Sequence, residues 1–340
     1  MSILSLAASA LGAEPPAPLA WRPLPPLPDR EGFAGSYAGA SNGDLIVAGG
    51  ANFPDRRPWE GGTKIWYHHV FVLAAENGQW LRSDRLPKAG GYGVSVNLAE
   101  GAVFIGGGDA TRNFNDVWLV RSAAGRVTFT AWPALPRPLA LMAGAAAGRN
   151  IFVAGGQSAP TATQAERVFL MLDADRLGEG WKILPAWPGA ARIFPAVGTA
   201  GDAVFLFGGA HLKPDAAGKV AREWLRDAYR YDAATGWRRI ANLPRVAVAA
   251  PSPAPHHGGE LLVLGGDDGA QVSTAPTAHR GFPRDVLAYD PAADQWRRRG
   301  EMPFSLVTTT LTTWRDQIVI PGGEARPGVR STAVWAAPLR

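Results

Sequence analysis

The segment LIVAGG at residues 45–50 is an apolar run of β-forming residues that ends in a glycine pair, and five related runs follow it. They are VFIGG (103–107), IFVAGG (151–156), VFLFGG (204–209), LLVLGG (261–266) and IVIPGG (318–323). The first glycines of successive pairs are 57, 49, 53, 57 and 57 residues apart. This spacing indicates six copies of one structural unit.

Each unit continues in the same way after its glycine pair. A variable loop leads to a second apolar strand, such as NDVWLV (115–120), and then to a strand that carries Trp and ends in Pro, such as GQWLRSDRLP (78–87). With the short strand before the apolar run, the unit has four antiparallel strands, A to D. Six such units at a period near 50 residues predict an all-β, six-bladed kelch-type β-propeller.

The two ends of the chain are expected to complete one blade. The sixth unit stops before any Trp strand, whereas AWRPLPPLP (20–28) has the D-strand pattern. Pairing this N-terminal strand with the last blade removes two exposed sheet edges. We therefore expect one propeller domain over residues 20–340.

Residues 1–19 are expected to form a separate leader. Ala8-Ser9-Ala10 follows an apolar stretch and resembles a signal-peptidase site. This favours a periplasmic or secreted protein, and a floppy terminus is the alternative. No later segment has the length and hydropathy of a transmembrane helix.

Composition excludes several classes of function. The chain has no cysteine, so disulfides, thiolate nucleophiles and Cys-ligated metals are excluded. The net charge is +5 and the basic residues are scattered apart from Arg297–Arg299, which does not indicate nucleic-acid binding. The histidines show no metal-ligand spacing, so we expect neither a metal nor a cofactor.

The residue after each glycine pair should border the central channel on the face where the B–C loops emerge. Asp267 and Glu324 are the carboxylates of that ring. Arg330 follows Glu324 by six residues, beyond a Pro327-Gly328 bend that can return it to the same opening. From spacing alone, Glu324 and Arg330 are either a catalytic pair or a structural ion pair that holds the loop.

Other polar residues of the loops and turns on this face are candidates for binding a small anionic, polar ligand such as an acidic sugar. Arginine can clamp a carboxylate with two parallel hydrogen bonds. For the arginines of the D–A turns, a structural role between blades is the alternative. The predicted substrate-binding residues are Asn52, Lys64, Tyr92, Arg137, Arg192 and Asp267.

Two segments carry a family resemblance. GGEARPGVRSTAVW (322–335) and FAGSYAGASNGDLIVAGGANFP (33–54) resemble the sialic acid mutarotases, which are the N-acetylneuraminate epimerase family of kelch propellers. The similarity is closest to the branch described as cyclically permuted mutarotases. In the founding epimerases the Glu-Ala-Arg-Pro-Gly-Val-Arg heptad lies mid-chain, whereas here it belongs to the last blade.

The resemblance implies an isomerase that interconverts the α and β anomers of N-acetylneuraminate without a cofactor. It assigns acid/base catalysis to Glu324 and carboxylate binding to Arg330. A non-catalytic kelch module that binds a glycan or a protein is the main alternative. A copper radical oxidase is disfavoured because its Tyr–Cys cross-link needs cysteine, and a sialidase because its repeated Ser-x-Asp turns are missing from the sequence. The oligomeric state is not predicted.

Overall fold

The computed structural model describes residues 17–339, and in that range it confirms the predicted propeller. Six four-stranded antiparallel sheets, blades 1 to 6, surround a central axis, and a two-stranded ribbon lies in one B–C loop. Two 3₁₀ turns, Pro58–Glu60 and Leu177–Glu179, are the helical segments of this range. None of its helices could cross a membrane.

The first three blades follow the N-terminal strand β1 (Arg22–Leu24). Blade 1 and its ribbon contain β2 (Tyr37–Ser41), β3 (Asp44–Ala48), β4 (Ala51–Asn52), β5 (Ile65–Trp66), β6 (Val70–Leu73) and β7 (Leu81–Arg82). Blade 2 contains β8 (Val94–Leu98), β9 (Gly101–Ile105), β10 (Val117–Ala123) and β11 (Arg126–Ala131). Blade 3 contains β12 (Ala143–Ala147), β13 (Asn150–Ala154), β14 (Phe169–Asp173) and β15 (Lys182–Leu184).

The last three blades include the longest strands. Blade 4 contains β16 (Ala196–Ala200), β17 (Ala203–Pro214), β18 (Val220–Asp232) and β19 (Gly236–Ile240). Blade 5 contains β20 (His256–His257), β21 (Glu260–Leu264), β22 (Asp285–Asp290) and β23 (Gln295–Glu301). Blade 6 contains β24 (Thr312–Trp314), β25 (Gln317–Arg326) and β26 (Val329–Pro338).

The N-terminal strand closes the ring as predicted. Strand β1 pairs antiparallel with β26, with Arg22 opposite Ala336 and Leu24 opposite Val334, so it is strand D of blade 6. Leu24 and Leu27 are buried with residues of blades 1 and 6 in one apolar cluster. The junction between the first and last blades therefore has a hydrophobic core, like the junctions between other blades.

The tryptophans of the D strands join neighbouring blades. The indole N–H of Trp181 donates to the carbonyl of Pro133 at 2.8 Å, and that of Trp237 donates to Pro185 at 2.8 Å. Trp80 in blade 1 makes the same bond to Pro25, at 2.8 Å, across the closing junction. These three rings thus cover apolar surface while their polar atoms are satisfied, whereas the indole nitrogen of Trp21 in blade 6 is buried without a partner in the described range.

The glycine pairs are required where strand B leaves the centre. Gly49 and Gly50 have φ of 65° and 89°, which residues with a Cβ rarely adopt. A Cβ on Gly49 would lie 2.4 Å from the carbonyl oxygen of Gly90. The other pairs have the same left-handed backbone, and this explains the signal that identified the repeat.

A closed ring of backbone hydrogen bonds surrounds the axis on the B–C face. The D–A turn before each blade contributes one residue in the left-handed region, with φ between 51° and 68°. Each donates its N–H to the carbonyl of its counterpart in the preceding turn, at 2.7–3.1 Å, and the sixth bond closes the circle. We call these residues the axial ring: Gly35, Tyr92, Leu141, Phe194, Ala249 and Thr308.

The N-terminal residues that are described pack against blade 5. The Arg299 guanidinium donates to the carbonyl of Ala17 at 3.0 Å, and Leu19 is buried in an apolar cluster between blades 5 and 6. The signal-like residues Ala8–Ala10 lie outside the described residues.

Candidate functional site

The residues that follow the glycine pairs are fixed by the turns that carry the axial ring. Glu324 exchanges both backbone hydrogen bonds with Val307, and Asp267 does so with Val248. Ala51, Gly108, Gln157 and Ala210 make equivalent bridges in the other blades. The predicted ring of residues around the channel opening is therefore present, and Asp267 and Glu324 supply its carboxylates.

A cavity of about 320 Å³, which we call the mouth cavity, opens above the axial ring. Its charged lining residues are Lys64, Arg222, Asp267, Glu324 and Arg330. Tyr92, Phe194 and Thr308 of the axial ring contribute to its wall. A second cavity of about 250 Å³, the side cavity, shares Lys64, Tyr92, Phe194 and Arg222 with it. With three cations and two carboxylates, the mouth cavity suits an anionic ligand.

Glu324 and Arg330 face each other across the β25–β26 hairpin. The Nη1 of Arg330 donates to Oε1 of Glu324 at 2.8 Å, and the backbone N–H of Gly328 donates to the same oxygen at 2.7 Å. Within residues 17–339, Oε2 of Glu324 has no hydrogen-bond donor. The six-residue spacing in the sequence is thus a cross-strand pair that leaves one carboxylate oxygen available.

Arg330 also keeps free donors, although its side chain is only 4% exposed. Its Nε donates to the carbonyl of Ala51 at 3.4 Å, and the guanidinium lies 4.9 Å from the ring of Phe53. No hydrogen bond is made by Nη2 to the described part of the chain. A guanidinium that is anchored on one side and unbonded on the other can bind a ligand carboxylate.

The bend of this hairpin is held by the B–C loop of blade 1. Gly328 has φ of 76°, and a Cβ there would lie 2.7 Å from Pro58 and 3.0 Å from Trp59. Only glycine fits both the backbone conformation and the contact. The loop therefore fixes the N–H that binds Glu324.

Lys64 reaches the mouth cavity from the same loop. Its Nζ lies 4.6 Å from the ring centroid of Trp66 and 4.1 Å from that of Tyr92. Burial lowers the pKa of Lys64 to about 8, with a further decrease from Arg330 that Glu324 opposes. The ammonium is thus a cation stabilised by aromatic faces rather than by a salt bridge.

The Tyr92 hydroxyl lies beside the Arg330 guanidinium at the cavity wall. Tyr92 has φ of 63° and lines the mouth cavity, and its buried oxygen makes no well-formed hydrogen bond within the described range. Burial raises the pKa of this hydroxyl above its ordinary value, and the nearby Arg330 opposes the rise. The group stays protonated at neutral pH and is available as a donor.

The structure brings four other predicted residues into the same cavity as Glu324 but leaves three outside it. Of the predicted set, Arg330, Lys64, Tyr92 and Asp267 line the mouth cavity. Asn52 is 1% exposed, and its amide donates to the carbonyl of Gly32 at 3.0 Å. It holds the N-terminal turn instead of facing the cavity.

The two predicted arginines of the D–A turns are used between strands. Arg192 is fully buried and makes a bidentate pair with Asp227, at 2.9 and 2.8 Å. Arg137 pairs with Glu166 at 3.2 Å and is half exposed, outside the lining of the mouth cavity. In both cases the guanidinium is paired with a carboxylate of the same blade.

Arg222 lines both cavities but was not among the predicted residues. It lies opposite Leu212 in the long β17–β18 hairpin, which extends blade 4 beyond its neighbours. The segment VAREWL (220–225) has no strict alternation of apolar and polar residues, so the sequence gives no clear strand signal there. Within residues 17–339, no three His, Asp or Glu side chains form a metal-binding cluster.

Comparison with known protein families gives two matches. A family model described as N-acetylneuraminate epimerase matches residues 13–128, and a Kelch motif model matches residues 250–303. The first match includes Lys64 and Tyr92 but not the Glu324–Arg330 hairpin.

Curated relatives carry the same name. An N-acetylneuraminate epimerase of Yersinia enterocolitica is 26% identical over 231 residues, which are 60% of this chain and 56% of the relative. One of Haemophilus influenzae is 26% identical over 227 residues, or 59% and 57% of the two chains. The matches thus span little more than half the length of these relatives.

A solved structure titled "Structure of YjhT" has the same fold. It is 16% identical, has a TM-score of 0.63, and the match covers 92% of this chain and 96% of that one. At this identity the likeness supports the architecture alone. The chain is thus a six-bladed kelch propeller that resembles the N-acetylneuraminate epimerases.

Proposed function

We propose that this protein is a mutarotase that interconverts the α and β anomers of N-acetylneuraminate. The observation that carries the proposal is the Glu324–Arg330 pair in the mouth cavity, with carboxylate Oε2 and guanidinium Nη2 both unbonded to the described residues. The names of the curated relatives support the substrate class.

The reaction needs ring opening, rotation and reclosure. Glu324 takes the proton of the anomeric hydroxyl as the ring bond breaks, and the ring oxygen gains a proton from a second acid, which gives the open 2-keto acid. Rotation about the adjacent bond presents the other face of the ketone, and reclosure returns the proton. No redox step or group transfer is involved, so the chemistry asks only for acid/base groups and charge stabilisation.

Arg330 binds the carboxylate next to the anomeric carbon and keeps it beside Glu324. A guanidinium suits this role because it is planar, permanently charged and anchored here by Ala51 and Phe53. Lys64 and Arg222 add positive potential around the carboxylate. Tyr92 supplies a neutral donor for a hydroxyl or carboxylate oxygen.

The test is an NMR time course with freshly released α-N-acetylneuraminate, with and without protein. The wild type should accelerate anomer exchange, and Glu324→Gln should reduce the catalysed rate by about 10²–10⁴-fold. Binding measured in parallel separates the alternatives. Binding without acceleration would favour a glycan-binding module, and an unchanged rate in the variant would remove Glu324 from the mechanism.

A further inference from the structure

Asp267 and Glu324 occupy equivalent positions in neighbouring blades. Each follows a glycine pair, and each exchanges two backbone hydrogen bonds with a D–A turn, at 2.8 and 2.8 Å for Asp267 and at 2.9 and 3.0 Å for Glu324. The two turns are joined in the axial ring, where the Thr308 N–H donates to the Ala249 carbonyl at 2.8 Å. Both side chains line the mouth cavity, so one ligand can contact both.

The two carboxyl groups have opposite surroundings. Glu324 is bonded by a guanidinium and a backbone N–H through one oxygen. Asp267 receives one backbone hydrogen bond, from Gly269 at 2.9 Å, and within residues 17–339 no Lys or Arg lies within ion-pair distance of it. Two carboxyl groups in different surroundings at one cavity are typical of acid/base sites.

The charges around Asp267 come from several elements. Arg222 faces it from the β17–β18 hairpin, Asp268 and His279 belong to its own loop, and Glu324, Arg330 and Lys64 line the same cavity. Burial raises the pKa of Asp267, and Asp268 raises it further, while the Gly269 N–H, His279 and Arg222 act in the opposite direction. The pKa of Asp267 is therefore raised, beside a Glu324 that is paired with Arg330.

We propose that Asp267 is the general acid of the reaction and protonates the ring oxygen of the sugar as the ring opens. This assignment rests on the proposed mutarotase function. The anomeric O–H proton passes to Glu324, its electron pair forms the C2 carbonyl, and the C2–O ring bond breaks. The ring oxygen takes the proton of Asp267 and becomes a hydroxyl.

Reclosure reverses the proton transfers. The Asp267 carboxylate takes the proton of that hydroxyl, the oxygen attacks the other face of the carbonyl, and Glu324 returns its proton to the anomeric oxygen. The cycle regenerates both groups and consumes no other reagent. With both carboxyl groups fixed on one rigid turn system, neither has to move between the two half-reactions.

The test is the pH dependence of kcat, measured by NMR at saturating substrate from about pH 3 to about pH 9, a range that brackets ordinary carboxyl and histidine pKa values. The spontaneous rate is subtracted at each pH. In the wild type, kcat should fall as pH rises through the Asp267 pKa, because the acid loses its proton. In Asp267→Asn, this decrease should disappear and kcat should be lower by about 10²–10⁴-fold.

Asp268→Asn is the matched control, since Asp268 adjoins Asp267 but does not line the mouth cavity. It should keep kcat and the alkaline decrease, with the decrease moved to lower pH because a neighbouring negative charge is removed. Thermal unfolding and substrate binding establish that each variant is folded. If Asp267→Asn does not fold, Asp267→Ser takes its place.

The possible failures are distinguishable. A wild type that does not accelerate anomer exchange at any pH would overturn the proposed function and this assignment with it. A wild type that is active, together with a folded Asp267 variant that retains kcat within a factor of about two or keeps the alkaline decrease, would overturn only the role of Asp267.

Discussion

Two arginine–carboxylate pairs in this protein have the same chemical groups and opposite hydrogen-bond saturation. Arg192 gives two bonds to Asp227, at 2.9 and 2.8 Å, and others to the carbonyls of Gly208 and Ala190. Tyr229 donates to the same Asp227 carboxylate at 2.8 Å. In contrast, Arg330 gives one bond to Glu324 and a long one to Ala51.

The difference separates a structural pair from a candidate functional one. Arg192 is fully buried between the rings of Trp187 and Tyr229, so its donors have no access to a ligand. Arg330 is nearly as buried, yet it borders a cavity with donors to spare. Burial alone therefore does not distinguish the two roles, and the unbonded atoms do.

The largest expected effect on stability comes from breaking the saturated pair. Arg192→Met leaves Asp227 in the interior without its partner and should cost about 3–5 kcal/mol in the free energy of unfolding, measured by urea denaturation. Arg137→Met is the matched control, because its pair with Glu166 is half exposed and should contribute about 0–1 kcal/mol. Equal losses in the two variants would contradict the comparison.

The Arg192–Asp227 pair also predicts how the stability difference between wild type and Arg192→Met depends on pH. Burial alone would raise the pKa of Asp227, but the bonds from Arg192 and Tyr229 outweigh it and lower the pKa. A carboxyl whose pKa is lowered by folding stabilises the protein above its unfolded pKa and loses that contribution as pH falls. The stability gap between wild type and Arg192→Met should thus narrow in acid.

Arg330→Lys tests the unsaturated pair. Lysine keeps the positive charge but loses the planar fork, so one charge-assisted hydrogen bond to the ligand carboxylate should be lost. We expect a loss of about 1.5–3 kcal/mol in substrate binding, seen as a higher apparent KM in the NMR assay. Stability should change little, since Arg330 makes few bonds. Arg137→Lys serves as control, and an unchanged KM in Arg330→Lys would exclude carboxylate binding by Arg330.

The smallest expected effect is the pH dependence of substrate binding that Lys64 contributes. Its pKa of about 8 in the free protein means that the cavity loses a positive charge as pH rises through that value. Above it, kcat/KM should fall by up to about tenfold per pH unit, through KM rather than kcat. Lys64→Met should bind more weakly at neutral pH and lack this decrease. An increase in KM with pH that persists in Lys64→Met would assign the effect to another group.

The sequence was sufficient to predict the fold because the residues that identify the repeat determine the backbone conformation locally. Left-handed glycine pairs such as Gly49-Gly50, and the strand pattern around Trp21, predicted six blades and their closure. The Glu324–Arg330 pair was within reach for the same reason, since a hairpin bend at Pro327-Gly328 fixes which residues face each other.

The sequence was insufficient where tertiary partners decide the direction of a side chain. Arg192 lies in a turn on the correct face, but Asp227, which is 35 residues later, binds it inside the blade. Arg222 was missed because β17 and β18 continue past the glycine pair as a hairpin over the cavity. Neither outcome follows from spacing within one repeat.

In the axial ring, backbone atoms hold the turns of the site together, whereas side chains contact the ligand cavity. Because its six bonds use backbone atoms, the side chains at those positions do not maintain the closure. Gly35 is an exception, since a Cβ there would meet the ring of Tyr92 at 2.7 Å. Phe194 and Thr308, whose side chains border the mouth cavity, therefore offer positions where ligand preference can be altered by directed evolution without touching the backbone bonds that close the ring.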